Sequence, residues 1–215
     1  MSFSADLFLL VFTTFITIIN PFSLIPVYMT MTASLDAANK RRTAIKASIT
    51  AFLTMVIFAF AGKFIFDFFG ISANGFRIVG GILFFIMGWD MLQARLIRTK
   101  MDSETVKEYI TDISITPLGI PMICGPGAIT NSIILMNDAQ DAGAKITVIA
   151  AMFVVMLITL VSLFGAAGIQ KFLGETGNKV LMRIMGLIVM VIAVEFFFAG
   201  LIPILESIQF HFVQG

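Results

Sequence analysis

The chain has 215 residues, 59% hydrophobic and 13% charged, with a mean hydropathy of +1.01. A soluble domain carries about 25% charged residues, so this composition, with 23 Phe and 14 Met, describes a polytopic membrane protein. A net charge of +1 leaves no basic surplus for nucleic acid, and the single cysteine (Cys124) and single histidine (His211) leave no disulfide, no Cys- or His-ligated metal site and no His-based triad.

A membrane crossing needs about 20 apolar residues, and six such segments are legible. The first, 5–33, lacks a basic leader and a small-residue cleavage site and is read as a retained helix. The second and third cover 43–68 and 74–93. A polar stretch, "QARLIRTKMDSETVKEYITD", precedes the fourth, 112–137. The fifth covers 146–170 and the sixth 178–200, followed by a short tail that contains Pro203. The expected fold is therefore all-α: one transmembrane domain over 1–215, with no cofactor or metal.

Lysine and arginine placement orients the spans. Lys40, Arg41, Arg42, Lys46, Arg95, Arg98, Lys100, Lys107, Lys171, Lys179 and Arg183 fall on one side; Lys63, Arg77 and Lys145 fall on the other. The richer side is cytoplasmic by this rule, so both termini are expected outside the cytoplasm, in a bacterial or archaeal plasma (inner) membrane.

Five of the six prolines lie in two windows, "NPFSLIP" (20–26) and "TPLGIPMICGPG" (116–127). Proline removes a helix hydrogen bond and clashes with the preceding turn, and freed backbone groups survive in hydrocarbon only when buried in protein or lining a cavity. Helices one and four are therefore expected to be broken or re-entrant. A break exposes N–H groups that suit a carboxylate and carbonyls that suit an ammonium group. Asn20, Pro21, Ser23, Pro26, Thr116, Pro117, Gly119, Gly125, Gly127, Thr130 and Asn131 are the candidate substrate-binding residues. Little side-chain volume and no charge suit a small neutral solute.

The two halves resemble one another. Repeat one is read over about 5–93 and repeat two over about 112–205, joined by a cytoplasmic loop over about 94–112. Each half has a proline pair, a Phe-x-Gly turn (68–70 and 172–174), and Arg-Ile-x-Gly at the start of its last helix. Pro21 and Pro117 are 96 apart, and Arg77 and Arg183 are 106 apart. Three spans per half make the second enter from the opposite side, the inverted-repeat architecture of secondary transporters.

Charges at membrane depth are functional candidates. Lys63 with Asp67, and Asp90 beside Trp89, read as interfacial. Arg77 and Arg183 read as headgroup-directed or as anchors that donate to the freed carbonyls. Glu195, in "MVIAVEFFFAG", is the candidate for carrying a coupled proton; the other reading is an inward-facing carboxyl with a packing role. Gly80, Gly81, Gly88, Gly165 and Gly168 are expected at close helix contacts. The phenylalanines at 64–69 and 196–198 read as lipid-facing or bundle-packing residues.

"NPFSLIP", "FRIVGGILFFIMGWDML", "TPLGIPMICGPGAIT" and "RIMGLIVMVIAVEFFFAG" resemble the MarC family over nearly the whole chain. The family includes a transporter of small neutral amino acids, so the resemblance implies six spans and transport of glycine and alanine driven by the proton gradient. It departs in two places: Ser23 stands where the family often has glycine, and Gly119 where alanine is common. The implied partners are a small neutral amino acid, protons or another coupling cation, and the bilayer; an oligomer is compatible with the sequence. An exporter of amino acids or other small solutes, drugs included, and a passive channel are the alternatives. Nothing in the sequence forms a catalytic set, so no enzyme is expected.

Overall fold

A computed structural model describes the backbone of residues 5–93 and 110–213, without side chains for 73, 167–175, 178, 179, 181, 182, 185 and 207–213. Arg95, Arg98, Lys100 and Lys107, the surroundings of Gly168, and the side chains of Lys171, Lys179 and His211, lie outside the described residues. The described chain is helical throughout. Helices α1 (Ala5–Ile19), α2 (Pro21–Met31), α3 (Ala37–Phe69) and α4 (Ala73–Leu92) are followed by a widened π-helical segment (Ser114–Ile123), α5 (Pro126–Asp138) and α6 (Ala142–Val213).

Among the described residues, five stretches are long and apolar enough to cross a membrane: Ala5–Met31, Ala37–Phe69, Asn74–Leu92, Ala142–Ala166 and Gly186–Glu206. Ile110–Ile123 and Pro126–Asp138, bent by 64° at their junction, make a sixth if taken together. Helix runs through Pro203 instead of ending before it. Proline is tolerated there because neighbouring helices can satisfy the groups it frees.

α1 buries Val11, Phe15 and Ile19, one side chain per turn. α3 starts at Asp36, whose carboxylate accepts from the Asn39 N–H at 2.7 Å. It ends at Gly70, in the left-handed region at φ 62°, with Ile71 N–H bonded back to Phe66 O at 2.8 Å. This is the expected Phe-x-Gly turn. Tyr28 donates to the Lys40 carbonyl at 2.7 Å, which ties the end of α2 to the start of α3. Asp36→Ala, which removes the cap, should destabilise the protein by about 1 kcal/mol, measured by thermal unfolding in detergent; no change would mean that the cap contributes nothing.

α3 buries a stripe of small residues, Thr43, Ala44, Ala47, Ser48, Ala51, Ala59 and Gly62, with Met55 among them. α4 packs antiparallel on the last span through glycines. A Cβ at Gly88 would lie 2.7 Å from the Gly186 carbonyl, and one at Gly186 would lie 2.7 Å from the Gly88 carbonyl. A Cβ at Gly81 would lie 2.7 Å from Ala193 O, and Gly200 abuts the Asn74 carbonyl. Gly80 packs directly on Pro126. At Gly165, expected at a helix contact, no atom among the described residues lies within 4 Å of a Cβ position.

α6 spans 72 residues and would be about 108 Å long if straight. A straight helix would separate Phe153 from Phe196 by about 64 Å. Phe153, however, packs edge-on against Phe52 of α3, with centroids 5.7 Å apart. The neighbouring Thr50 meets Gly119, and Phe196 meets Gly127. Eight residues of chain reach at most about 28 Å, so the run must double back between Ala166 and Gly186. The turn expected at 172–174 is helical backbone.

Candidate functional site

The first break is one residue wide. Asn20 adopts φ 44°, ψ 73°, a left-handed conformation that asparagine tolerates better than most residues. Pro21 then opens α2 at its first helical position, where a missing N–H does no harm. Thr17 O loses its i+4 donor because Pro21 has no N–H. Ile19 O loses its own because the Ser23 N–H turns to Asn20 O at 3.0 Å. The Ser23 hydroxyl also donates to Asn20 O, at 2.8 Å. Asn20 is exposed, Ser23 and Pro26 are half-buried and Pro21 is buried.

The second break is wider. Thr116 and Ile120 are extended (φ −132°, ψ 122° and φ −133°, ψ 123°), as expected of residues before proline; both following peptide bonds are cis. The Cys124 N–H reaches Gly119 O at 2.9 Å, a bond of π-helical spacing. Gly125 is extended at φ −79°, ψ 175°, and Pro126 opens α5. Gly125 has no side chain to cap the helix, so the first N–H groups of α5, on Gly127 and Ala128, lack a side-chain acceptor. One turn on, Thr130 Oγ1 is buried without a hydrogen-bond partner. The Asn131 amide donates to Gly127 O at 2.8 Å.

The two breaks meet. A Cβ built on Gly127 would lie 3.1 Å from Ile18 Cγ2, two residues before Asn20, and 3.0 Å from Phe196 Cζ. From this junction α2 runs toward the start of α3, where Tyr28 reaches Lys40. α5 runs toward the end of α3, where a Cβ built on Gly62 would lie 2.5 Å from Ile133 Cδ1. The two restarted helices therefore point in opposite directions. The prolines that start them, Pro21 and Pro126, are 105 apart in sequence, close to the 106 that separates Arg77 from Arg183. Thr116, Pro117 and Gly119 lie on the other side of the bend; Gly119 packs against Ser114 O and Thr50.

Among the charged candidates, Arg77 is half-buried and donates to Asn74 Oδ1 of its own helix at 3.5 Å. Arg183 is exposed. Glu195 lies near the middle of that span, but its side chain is exposed, on a surface shared with Val191, Val194 and Phe198; the inward-facing reading fails. Lys63 and Asp67 are both exposed at the end of α3. Among the described residues, no group of three His, Cys, Asp or Glu is placed to hold a metal.

Residues 5–205 match the family described as "MarC family integral membrane protein". The chain belongs to the MarC family. A UPF0056 membrane protein of Pyrococcus horikoshii is 38% identical over 194 residues, 90% of this chain and 94% of its own. One from Methanocaldococcus jannaschii is 35% identical over 195 residues, 90% of this chain and 95% of its own. One from Buchnera aphidicola is 30% identical over 206 residues, 96% of this chain and 97% of its own. These relatives are named as membrane proteins, without a solute. No solved structure matches the chain. Like them, this MarC protein is an integral, multi-pass membrane protein.

Sequence reasoning missed Ile18, Phe84 and Phe196 at the junction of the breaks. Phe84 and Phe196 pack edge-on, with centroids 5.8 Å apart and planes at 84°. Phe84 Cζ lies 3.2 Å from the Cβ position of Gly125. The only sequence signal was that a phenylalanine shares each close-packed helix with a glycine interface.

Proposed function

We propose that this MarC protein is a secondary transporter of small neutral amino acids of the glycine and alanine type, coupled to protons and working by alternating access around its two broken helices. The observation that carries the reading is the meeting of the two breaks at Ile18 and Gly127. At that junction the Thr17 and Ile19 carbonyls end α1 and the uncapped Gly127 and Ala128 N–H groups begin α5. Carbonyls attract an ammonium group, and a helix N-terminus attracts a carboxylate. A zwitterion presents both on one carbon, and the Thr130 hydroxyl is a further donor close by.

The opposed directions of α2 and α5, with starting prolines 105 apart, support an inverted repeat with Pro21 matched to Pro126. In that architecture one half rocks against the other around a fixed central site. The charge bias of the loops supports termini outside the cytoplasm, in the plasma (inner) membrane. The reading assigns no reaction to be catalysed.

Competition with labelled glycine tests the two-ended site. Alanine should compete. Methylamine and glycine amide, which lack the carboxylate, and acetate, which lacks the ammonium group, should not. Competition by methylamine equal to that by alanine would refute the carboxylate end of the site.

Glu195 is proposed to carry the coupled proton. It is adjacent in sequence to Phe196, which touches Gly127, and an ionised carboxylate at mid-span on an apolar surface is costly. Glu195→Gln should leave glycine exchange intact while abolishing accumulation driven by a proton gradient. Undiminished gradient-driven accumulation would remove Glu195 from that role.

A further inference from the structure

We propose that the Phe84–Phe196 pair is a gate over the helix breaks, and that it sets the size limit of the solute at hydrogen or methyl on the α-carbon. The proposal rests on the reading of this site as one for small neutral amino acids, and adds the element that selects among them.

Four observations place the gate. Phe84 comes from α4 and Phe196 from the last span of α6, and their rings meet edge-on at 5.8 Å. Each ring lies over one glycine of the second break: Phe84 Cζ at 3.2 Å from the Cβ position of Gly125, and Phe196 Cζ at 3.0 Å from that of Gly127. Ile18, from the first break, lies on another side of Gly127, its Cγ2 3.1 Å from the same Cβ position. At these separations a carbon placed on Gly125 or Gly127 fits only if the ring beside it shifts. The conformation described is therefore the occluded one, and a solute enters only when the rings part.

The backbone limits how far they part. A Cβ built on Gly81 would lie 2.7 Å from Ala193 O and 2.8 Å from Phe197 N, and one on Gly88 would lie 2.7 Å from Gly186 O. α4 and the last span are thus held at backbone contact on both sides of the ring pair. The rings can turn about their own side-chain bonds, but the helices that carry them cannot separate without losing those contacts. Ring rotation opens a small passage, whereas a larger one needs helix separation. One added methylene in a closed apolar pocket typically gives 10–200-fold discrimination, enough to separate alanine from larger amino acids.

Two readouts test this. In proteoliposomes, the ratio of valine or leucine uptake to glycine uptake should be low for the native protein. It should rise at least tenfold in Phe196→Ala and in Phe84→Ala, while Phe196→Trp should depress alanine relative to glycine. Phe196→Leu and Phe84→Leu keep most of the volume, so they stand in if an alanine variant fails to fold, with a smaller rise expected. An unchanged ratio in folded variants overturns the gate while leaving the transporter reading intact; no uptake of any small amino acid by the native protein overturns that reading instead. The second readout does not need transport. Cys124, the sole cysteine, is buried beside Gly125, so N-ethylmaleimide should label it slowly in the native protein and at least tenfold faster in Phe84→Ala. Equal labelling rates would show that the rings cover nothing.

Discussion

Gly127→Val is expected to abolish glycine uptake, by at least about 100-fold at equal membrane abundance, while the protein stays folded. A side chain there would meet Phe196 at 3.0 Å and Ile18 at 3.1 Å. Both are side-chain atoms, and both can give by a few tenths of an ångström, so the fold absorbs the change. The function does not, because the added methyls occupy the space over the α5 N-terminus that the carboxylate requires. Uptake is measured in proteoliposomes and folding by size-exclusion and thermal unfolding in detergent. Near-native uptake by folded Gly127→Val would place the solute elsewhere.

Gly88→Leu has its largest effect on the fold. The neighbours of a Cβ at this position are Gly186 O at 2.7 Å and Met190 N at 3.0 Å, backbone atoms that move only if α4 and the last span part. Overpacking of a tight core costs about 1–3 kcal/mol, and a backbone contact that cannot relax falls at the upper end, about 3 kcal/mol. A lower unfolding temperature in detergent should accompany it. Gly165→Leu is the control: among the described residues no atom lies within 4 Å of a Cβ there, and its unfolding temperature should match the native one. Equal effects at the two positions would show that the Gly88–Gly186 contact does not hold the helices together.

Much of this architecture is legible in the sequence because hydrocarbon is a demanding solvent. Apolar length alone marks the spans, and prolines in mid-span mark Asn20 and Gly125 as breaks, since few other sequences interrupt a helix there. The point at which helix restarts in the second window was not legible. The second window holds Pro117, Pro121 and Pro126, and composition does not say which proline starts a helix; the backbone selects Pro126. The end of the last span was misplaced for a related reason, because Pro203 reads as a stop although packed helices tolerate it. The direction in which Glu195 faces could not be read, since its helix is apolar on all sides and gives no amphipathic cue. Phe84 and Phe196 were hidden among 23 phenylalanines. Their roles come from what opposes them across α4 and α6, a long-range fact that local spacing does not encode.

The central claim is that two helix breaks meeting at Ile18 and Gly127 form the site of a proton-coupled carrier. Its most direct test is accumulation of labelled glycine and alanine by proteoliposomes with and without an imposed proton gradient. The account predicts saturable accumulation above the external concentration, lost when an uncoupler collapses the gradient. No accumulation of any small neutral amino acid, or entry that neither saturates nor responds to the gradient, would contradict it.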